Sequence, residues 1–503
     1  MPLHMSFKEF EELAQQHKPI LVYREYPADA ITPLIAYHKL SKPNVPCCLL
    51  DFSCYKKTSQ RYSFLGFNPY FQFEAHGKTI TQSQSTNDST SIFEGDPFRH
   101  LQNCLASNLP VNDSIFTPFC GGLIGFLAYD SIRLLERIPD RHSDSEKIPT
   151  LRFQSYSEII FFDHLREKFK IAVVVDSDSG QSLKNKFDRA QERIDEIILL
   201  LQIHSFPITY DLGDPSSATD VIKVSEDLED NSYKALVSQA KEYFGKGEIF
   251  QVVISRTFKT SFSGDPLSIY RSLKSMNPSP YHFLLNYPDF SLVGASPEKL
   301  LSVSERDVEM VPIAGSCPRK GTDEDLILEE KLMADPKEDA EHMMLVDLAR
   351  NDLGAVCVPG SVQVAKLKYL QRFSHISHLV SDVKGILQPS KSSIEALKMA
   401  FPAGTLTGAP KIRAIEIIDE LENSRRGVYG GAICTLSSNG NIDSCLAIRT
   451  ALLKDGMAFV RAGAGIVTDS DPQKEADETR HKARAVLKAL QTNTRNPEKS
   501  LCI

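Results

Sequence analysis

The sequence predicts an α+β fold of large antiparallel sheets flanked by helices, and three observations point there. Strand-like and helix-like patterns follow one another in irregular order, without the regular alternation of a parallel βαβ array. Short apolar runs alternate with turn signals through residues 1–205, the pattern of strands joined by tight turns. At 503 residues, with 42% hydrophobic and 24% charged side chains, the chain has ample material for a sizeable core.

Taken in order, the opening run MPLHMSFKEFEELAQQ is amphipathic and acidic, so it reads as a surface helix rather than a signal peptide. Residues 81–91 (TQSQSTNDSTS) are too polar to pack and read as an exposed loop. Glu158-Ile-Ile-Phe-Phe-Asp163, a turn, and Phe169-Lys-Ile-Ala-Val-Val-Val175 predict a hairpin. Residues 206–230 are rich in Pro, Asp, Ser and Thr, which is linker chemistry. The linker divides the chain into an N-terminal block (1–205), a C-terminal block (231–492) and a tail (493–503). Ala235, Leu236, Ala240, Tyr243 and Phe244 lie at helical spacing until Gly245 and Gly247 end the run, and Ile249-Phe-Gln-Val-Val-Ile254 reads as a strand. Ala483, Val486, Leu487 and Leu490 form one apolar helix stripe.

Composition removes several function classes. A net charge of −8 argues against nucleic acid as a main partner, and no apolar run approaches the roughly 20 residues that cross a bilayer. The ten cysteines are scattered, with no C-x-x-C pair, which suits free thiols in a reducing cytoplasm better than a disulfide framework or a zinc site.

Chemistry concentrates in two matched acidic helix starts. Asp335-Pro336 and Asp471-Pro472 each read as an N-cap followed by proline at the first helical position. Glu338 and Glu341 follow the first, Glu475 and Glu478 the second, and a three-residue spacing puts each pair on one face. Mg²⁺ prefers one or two such carboxylates, with water and substrate completing its shell. On spacing alone the alternative stays open: acidic residues favour helix N-termini, and Glu338 could close a capping box with Asp335.

The residues around these pairs narrow the choice. Glu341-His-Met-Met-Leu-Val-Asp-Leu-Ala-Arg-Asn-Asp352, Arg461-Ala-Gly-Ala-Gly-Ile-Val467, Glu475-Ala-Asp-Glu-Thr479, Val311-Pro-Ile-Ala-Gly-Ser316, Gly404-Thr-Leu-Thr-Gly-Ala-Pro-Lys411 and Tyr429-Gly-Gly-Ala432 closely resemble the chorismate-utilising enzymes. Gln60-Arg-Tyr-Ser-Phe64 and Gly121-Gly-Leu-Ile-Gly-Phe-Leu-Ala-Tyr129 resemble that family's N-terminal, regulatory-type domain, so the likeness spans nearly the whole chain.

The resemblance implies Glu341 and Glu478 as direct Mg²⁺ ligands, with Glu338 and Glu475 behind them, and the metal on the ring carboxylate of chorismate. It places Arg449 and Tyr429 at the enolpyruvyl side, where a planar guanidinium can grip a carboxylate. Gly315, Ser316 and Thr405 fall within its substrate-lining motifs, and Gly463, Ala464 and Gly465 would offer backbone N–H groups at close approach. Without the family context these residues read equally as ion-paired, packed or turn positions.

Within the family the reaction turns on few positions. Water-adding members carry a lysine base where this chain has Gln251; ammonia is already a nucleophile and needs none. Many aminodeoxychorismate synthases carry a lysine where this chain has Ala314, so the resemblance implies direct attack of ammonia at C2. Glu298 matches the acid that protonates the departing C4 hydroxyl, and His378 a histidine associated with the elimination that expels pyruvate. Anthranilate, the first product of the tryptophan pathway, is the implied outcome. An aminodeoxychorismate or aminodeoxyisochorismate synthase, or a catalytically idle chorismate-binding paralogue, is the alternative. No Gly-x-Cys-x-Gly nucleophile elbow occurs in the chain, so a separate glutamine amidotransferase subunit is implied as the ammonia source.

One region departs from the family. Its tryptophan feedback site usually contains Leu-Leu-Glu-Ser and Asn-Pro-Ser-Pro-Tyr-Met-Phe; here the runs are Leu49-Leu50-Asp51-Phe52 and Asn277-Pro-Ser-Pro280-Tyr281-His282-Phe283. Phe52 and His282 fill or repolarise such a pocket, so L-tryptophan is expected to bind weakly or not at all. Cys317 replaces a usual arginine, and sequence alone offers no physical account of it.

Overall fold

The computed structural model describes residues 4–53, 60–84, 89–107, 110, 122–177, 182–203, 222–372 and 376–493. Every strand pairing is antiparallel, and two long strands organise the whole. Gln60–His76 and Leu151–Asp163 run side by side and pass through two sheet regions. A register shift between Pro69 and Phe71, beside Asn68 at φ 53°, marks where the first changes region. A bulge bends its strand and raises the local twist, which lets one strand serve two differently directed sheets.

The first region runs Ile20–Pro27, Lys168–Val175, the 158–163 end of the second long strand, the 62–67 end of the first, then Cys47–Ser53. It continues through Tyr281–Asn286, Ser291–Ser296, Thr450–Lys454, Met457–Ile466 and Gln251–Ser261. The second region carries the other ends of the long strands to Leu123–Leu127, Ala432–Leu436, Ile442–Leu446, Lys299–Ser304, Asp307–Met310 and Ile376–Ile386. Strands from residues 1–205 therefore pair directly with strands from 231–492, at Cys47–Ser53 with Tyr281–Asn286 and at Leu123–Leu127 with Ala432–Leu436.

Helices cover these sheets with apolar faces. Phe10, Phe187, Ile194, Leu273, Val486 and Leu490 are buried in one core; Phe98, Leu101, Val346, Leu353 and Leu397 are buried in another. The N-terminal helix Phe7–Ala14 is capped by Ser6, which accepts the Glu9 N–H at 3.3 Å. The helix Asp230–Gly245, the 158–175 hairpin and the apolar stripe of the last helix, Pro472–Asn493, all form where periodicity placed them.

Two expectations change. Residues 81–91 are not simply a loop: Thr79–Gln84 pairs with Ser89–Glu94 as an exposed edge hairpin, residues 85–88 lying outside the described set. Only Ile80 needs the core, so the segment's polarity concealed its strands. The segment 206–230 lies outside the described residues up to 221, but Ser225–Glu226 pairs with Lys259 and Phe258, so its end belongs to the sheet. No helix among the described residues is long and apolar enough to cross a membrane.

Candidate active site

The site forms where Gln251–Ser261 pairs with Met457–Ile466, setting Val253 opposite Gly465 and Ser255 opposite Gly463. Val253 N–H donates to the Thr407 carbonyl at 2.8 Å and Ser255 N–H to Glu422 Oε1 at 2.8 Å. Both donors point away from the partner strand, so Gly463 and Gly465 turn their backbone to its other side, where Lys482 Nζ donates to the Gly463 carbonyl at 3.0 Å. Ala464 differs from its neighbours: its methyl is fully buried in a core between sheet and helices. Side chains alternate across a strand, so Ala464 turns its methyl to that core while the two glycines lie on the opposite face.

Gly463 is needed for close approach, since a Cβ there would lie 2.8 Å from the fixed Ile254 carbonyl oxygen, whereas Gly465 faces the end of the flexible Gln251 side chain. A Cβ on Gly463 would lie 2.8 Å from the Tyr429 hydroxyl oxygen, and one on Gly465 would lie 2.9 Å from Gln251 Nε2. The amide oxygen of Gln251 is buried without a hydrogen-bond partner among the described residues. Such an acceptor favours a guest that donates.

Glu298 follows Ser291–Ser296 through Pro297. Thr405 donates its hydroxyl to Glu298 Oε1 at 2.8 Å, and the Leu446 N–H donates to the Glu298 carbonyl at 3.0 Å. Burial pushes the Glu298 carboxyl up to about 7, against the opposing pull of Thr405 and the Lys482 cation. A carboxyl tuned to that range can deliver a proton at neutral pH.

His378 stands opposite Ser316 where Ile376–Ile386 pairs with Ile313–Pro318. The register shifts at Gly315, whose φ of 71° suits a residue without Cβ. Burial and the nearby Arg449 cation push the imidazole down to about 4, so it is neutral at physiological pH. Arg449, at φ 50°, is itself desolvated, with Tyr429 and Glu478 in electrostatic reach. No carboxylate among the described residues pairs with its guanidinium. Ser316 is exposed on this strand, and Thr405 is half-buried.

The acidic starts of the two helices come within electrostatic reach of each other here. Asp335 caps Pro336–Gly354, accepting N–H groups of Lys337 at 2.8 Å and Glu338 at 3.3 Å; Asp471 accepts those of Gln473 and Lys474 at 3.0 and 2.9 Å. Burial raises the Glu341 carboxyl, and the charges of Glu338, Glu478 and Glu475 raise it further. Glu338 and Glu475 are raised likewise, by burial and then by neighbours that include Glu478. The four carboxylates thus share one field although two of them lie over 130 residues beyond the others. Glu338 Oε2 would sit 2.6 Å from a Cβ on Gly315, so the bare glycine admits it. Lys337 lies 3.8 Å from Glu341 and Lys482 2.7 Å from Glu478. No three potential ligands among the described residues stand close enough to surround an ion by themselves. The donor set still fits a hard divalent cation: carboxylate oxygens at two helix starts that raise one another, the ligand type of which Mg²⁺ takes one or two while water and substrate complete its shell.

Lys482 was not singled out by sequence, although it lies four residues after Glu478 on the same helix face. Also unread were Glu422 and Arg426, buried beneath Tyr429.

Residues 51–52 and 280–282 form a separate, filled cluster. Asp51 is fully buried and accepts hydrogen bonds from Tyr270 at 2.6 Å, from Ser63 and from the Lys274 ammonium. Burial opposes ionisation of Asp51, but Lys274, Ser63 and Tyr270 together hold its carboxyl below the usual range. Phe52 packs edge-on against Tyr281 at 5.4 Å, Pro280 is buried, and His282 bonds the Asn277 carbonyl at 3.1 Å. Burial drives His282 down to about 4. Cys317 packs with Leu332 and Leu379, while Arg372 grips nearby Glu329 through three contacts of 2.7–2.9 Å. That is an apolar environment suited to a thiol.

A chorismate binding enzyme family model matches residues 50–488. The chain belongs to the chorismate binding enzymes. Among relatives of this family, component 1 of anthranilate synthase from Aquifex aeolicus is 36% identical over 98% of this chain and 98% of its own. The Synechocystis component 1 is 40% identical over 96% of this chain and 98% of its own. The crystal structure of anthranilate synthase component I from Streptococcus pneumoniae superposes with a TM-score of 0.74 at 34% identity, covering 92% of this chain and 99% of that one. A menaquinone-specific isochorismate synthase from Escherichia coli shares the fold at TM-score 0.68 and 18% identity, over 96% and 98% of the two chains.

Proposed function

We propose that this chorismate binding enzyme converts chorismate and ammonia to anthranilate and pyruvate, as component 1 of a two-component anthranilate synthase in tryptophan biosynthesis. The observation that carries the reading is the pairing of Glu298, an acid held near neutrality, with the neutral Gln251 amide and no amine at Ala314. The naming of its relatives supports it.

Arg449, desolvated and without an ion-paired carboxylate, and the Tyr429 hydroxyl receive the enolpyruvyl carboxylate. Ammonia attacks C2, the ring double bonds shift, and the C4–O bond breaks as Glu298 gives its proton to the departing hydroxyl, which leaves as water. Gln251 takes no proton; its unpartnered amide oxygen accepts an N–H of the incoming ammonia, and the ammonium formed at C2 gives its extra proton to solvent. In the second step the C2 proton is removed and the C3–O bond breaks. The enolpyruvate carbon takes a proton to become pyruvate, and the ring becomes aromatic. His378, neutral and beside Arg449, is the group assigned to that proton removal. Glu341 and Glu478, oriented by Glu338 and Glu475, would hold Mg²⁺, which supplies charge neutralisation at the ring carboxylate.

The ammonia source is a glutamine amidotransferase subunit. The described cysteines Cys47, Cys48, Cys104, Cys317, Cys357, Cys434 and Cys445 are free and buried, which supports a reducing, cytoplasmic setting.

The purified chain with chorismate, Mg²⁺ and ammonium decides the matter. Blue-fluorescent anthranilate with equimolar pyruvate is expected, and the chain contains no tryptophan to mask the signal. Accumulation of a non-aromatic amino product would make it an aminodeoxychorismate or aminodeoxyisochorismate synthase. No turnover would make it an idle paralogue.

A further inference from the structure

A buried charged triad lies directly beneath the substrate-lining segments. Glu422, Arg426 and Arg461 have side chains 1%, 1% and 6% exposed. Glu422 Oε1 accepts from Ser255 N–H, Ser255 Oγ and Arg426 Nη2 at 2.8, 2.7 and 2.6 Å; Oε2 accepts from Arg426 Nε and Arg461 Nη2 at 3.0 and 2.7 Å. Two guanidinium groups share one carboxylate. Replacing such a buried triad by packed apolar side chains is often neutral or stabilising, so stability alone does not explain it.

Arg426 has a second set of contacts. It donates through Nη1 to the Leu406 carbonyl at 2.7 Å and through Nη2 to the Val253 carbonyl at 2.6 Å. Its guanidinium carbon lies 4.7 Å from the Tyr129 ring centroid and 5.7 Å from that of Tyr429. Leu406 adjoins Thr405, which bonds Glu298; Val253 faces Gly465 across the ladder; and the Tyr429 hydroxyl abuts Gly463. One planar cation therefore ties the Thr405 turn, the Gln251 strand and the Tyr429 turn together.

We propose that Arg426 is a positioning residue for chorismate amination, clamped by Glu422 and Arg461 so that Thr405 and Tyr429 stay in register with Glu298 and the Gly463–Gly465 strand. The proposal rests on the functional reading above. Lysine would keep the charge but cannot reach Glu422, Leu406 and Val253 at once from a single ammonium.

Arg426→Lys is the test, read by chorismate and ammonium kinetics, pH profile and isothermal titration of chorismate. The expected result is a KM for chorismate raised about tenfold or more with the KM for ammonium unchanged. The alkaline limb of kcat, set by Glu298, should move to higher pH, because a slipped Thr405 no longer favours the carboxylate. The charged groups near Glu298 are Lys482, Lys299 and Asp352, none altered by the variant. Thr405→Val should reproduce that limb shift, and the double variant should add nothing to it. Arg152→Lys, which loosens a half-buried ion pair elsewhere, should lower the melting temperature and leave kinetics and pH profile at wild type. Arg426→Lys behaving like Arg152→Lys would overturn the proposal. If Arg426→Lys does not fold, Glu422→Gln is read against the same outcomes. If the wild type shows no turnover the functional reading fails. Chorismate titration then still decides: weaker binding by the variant supports the clamp, equal binding overturns it.

Discussion

Glu298 shows how little chemistry a residue type specifies by itself. A glutamate after a proline turn is ordinary in sequence; burial moves it up to about 7 against the pull of a single hydroxyl donor. Glu298→Gln is therefore expected to lower kcat by about 10²–10⁴-fold, with chorismate binding by titration nearly unchanged. In the wild type kcat should fall as pH rises above about 7, since the acid must be protonated to act. Loss of activity on acidification instead would contradict the role. His282 carries a stability prediction. Its folded value of about 4 lies below the unfolded 6.5, so the unfolded chain binds the extra proton between those limits. Stability is thus full above pH 6.5 and falls by about 3 kcal/mol on going down to pH 4. Denaturant midpoints across that window check it, and His282→Met should flatten the slope. The substitution was visible in the sequence, but the fully enclosing packing that sets the shift was not.

At the scale of elements, the acidic helices were legible because their signals are local. Asp-Pro at the start and Glu at three-residue spacing need no tertiary information, and Asp335 and Asp471 make the predicted cap bonds. Asp335→Ala should cost about 1 kcal/mol in denaturant unfolding. What the spacing could not give is that the glutamates of the two helices come within electrostatic reach of one another. Calorimetric titration with Mn²⁺ or Mg²⁺ should show binding lost in Glu341→Gln and Glu478→Gln, and weakened about tenfold in Glu338→Gln and Glu475→Gln. Full-strength binding in Glu341→Gln would remove it as a ligand. The edge hairpin Thr79–Gln84 with Ser89–Glu94 failed to show in sequence for the opposite reason. Thr79–Gln84 is held by ladder bonds to Gln60–His76 and Ser89–Glu94 by ladder bonds to Thr79–Gln84, and a polar alternation leaves no apolar period to read.

For the whole molecule, strands of both halves of the chain share continuous sheets, and the Asp51 cluster sits on that seam, with Cys47–Ser53 paired to Tyr281–Asn286. A ligand ammonium seeking Asp51 would have to displace Lys274, Tyr270 and Ser63, which already satisfy it. Millimolar L-tryptophan is accordingly expected to leave both anthranilate formation and the melting temperature unchanged. Inhibition at low micromolar concentration would show that the cluster opens. The two-component reading has its own check: ammonium should support turnover by the isolated chain, whereas glutamine should do so only after a glutaminase subunit is added.

The sequence by itself determined the α+β class, the capped acidic helices and the identities of Gln251, Ala314, Phe52 and His282, because caps, periodicity and residue chemistry are local. Tertiary structure alone decided that Glu338, Glu341, Glu475 and Glu478 share one field, that Ala464 belongs to a core, and that Glu422, Arg426 and Arg461 form a buried clamp under Tyr429. Those facts depend on which distant strands pair and which faces they bury. Burial is also what turns an ordinary glutamate and an ordinary histidine into a poised acid and a neutral imidazole.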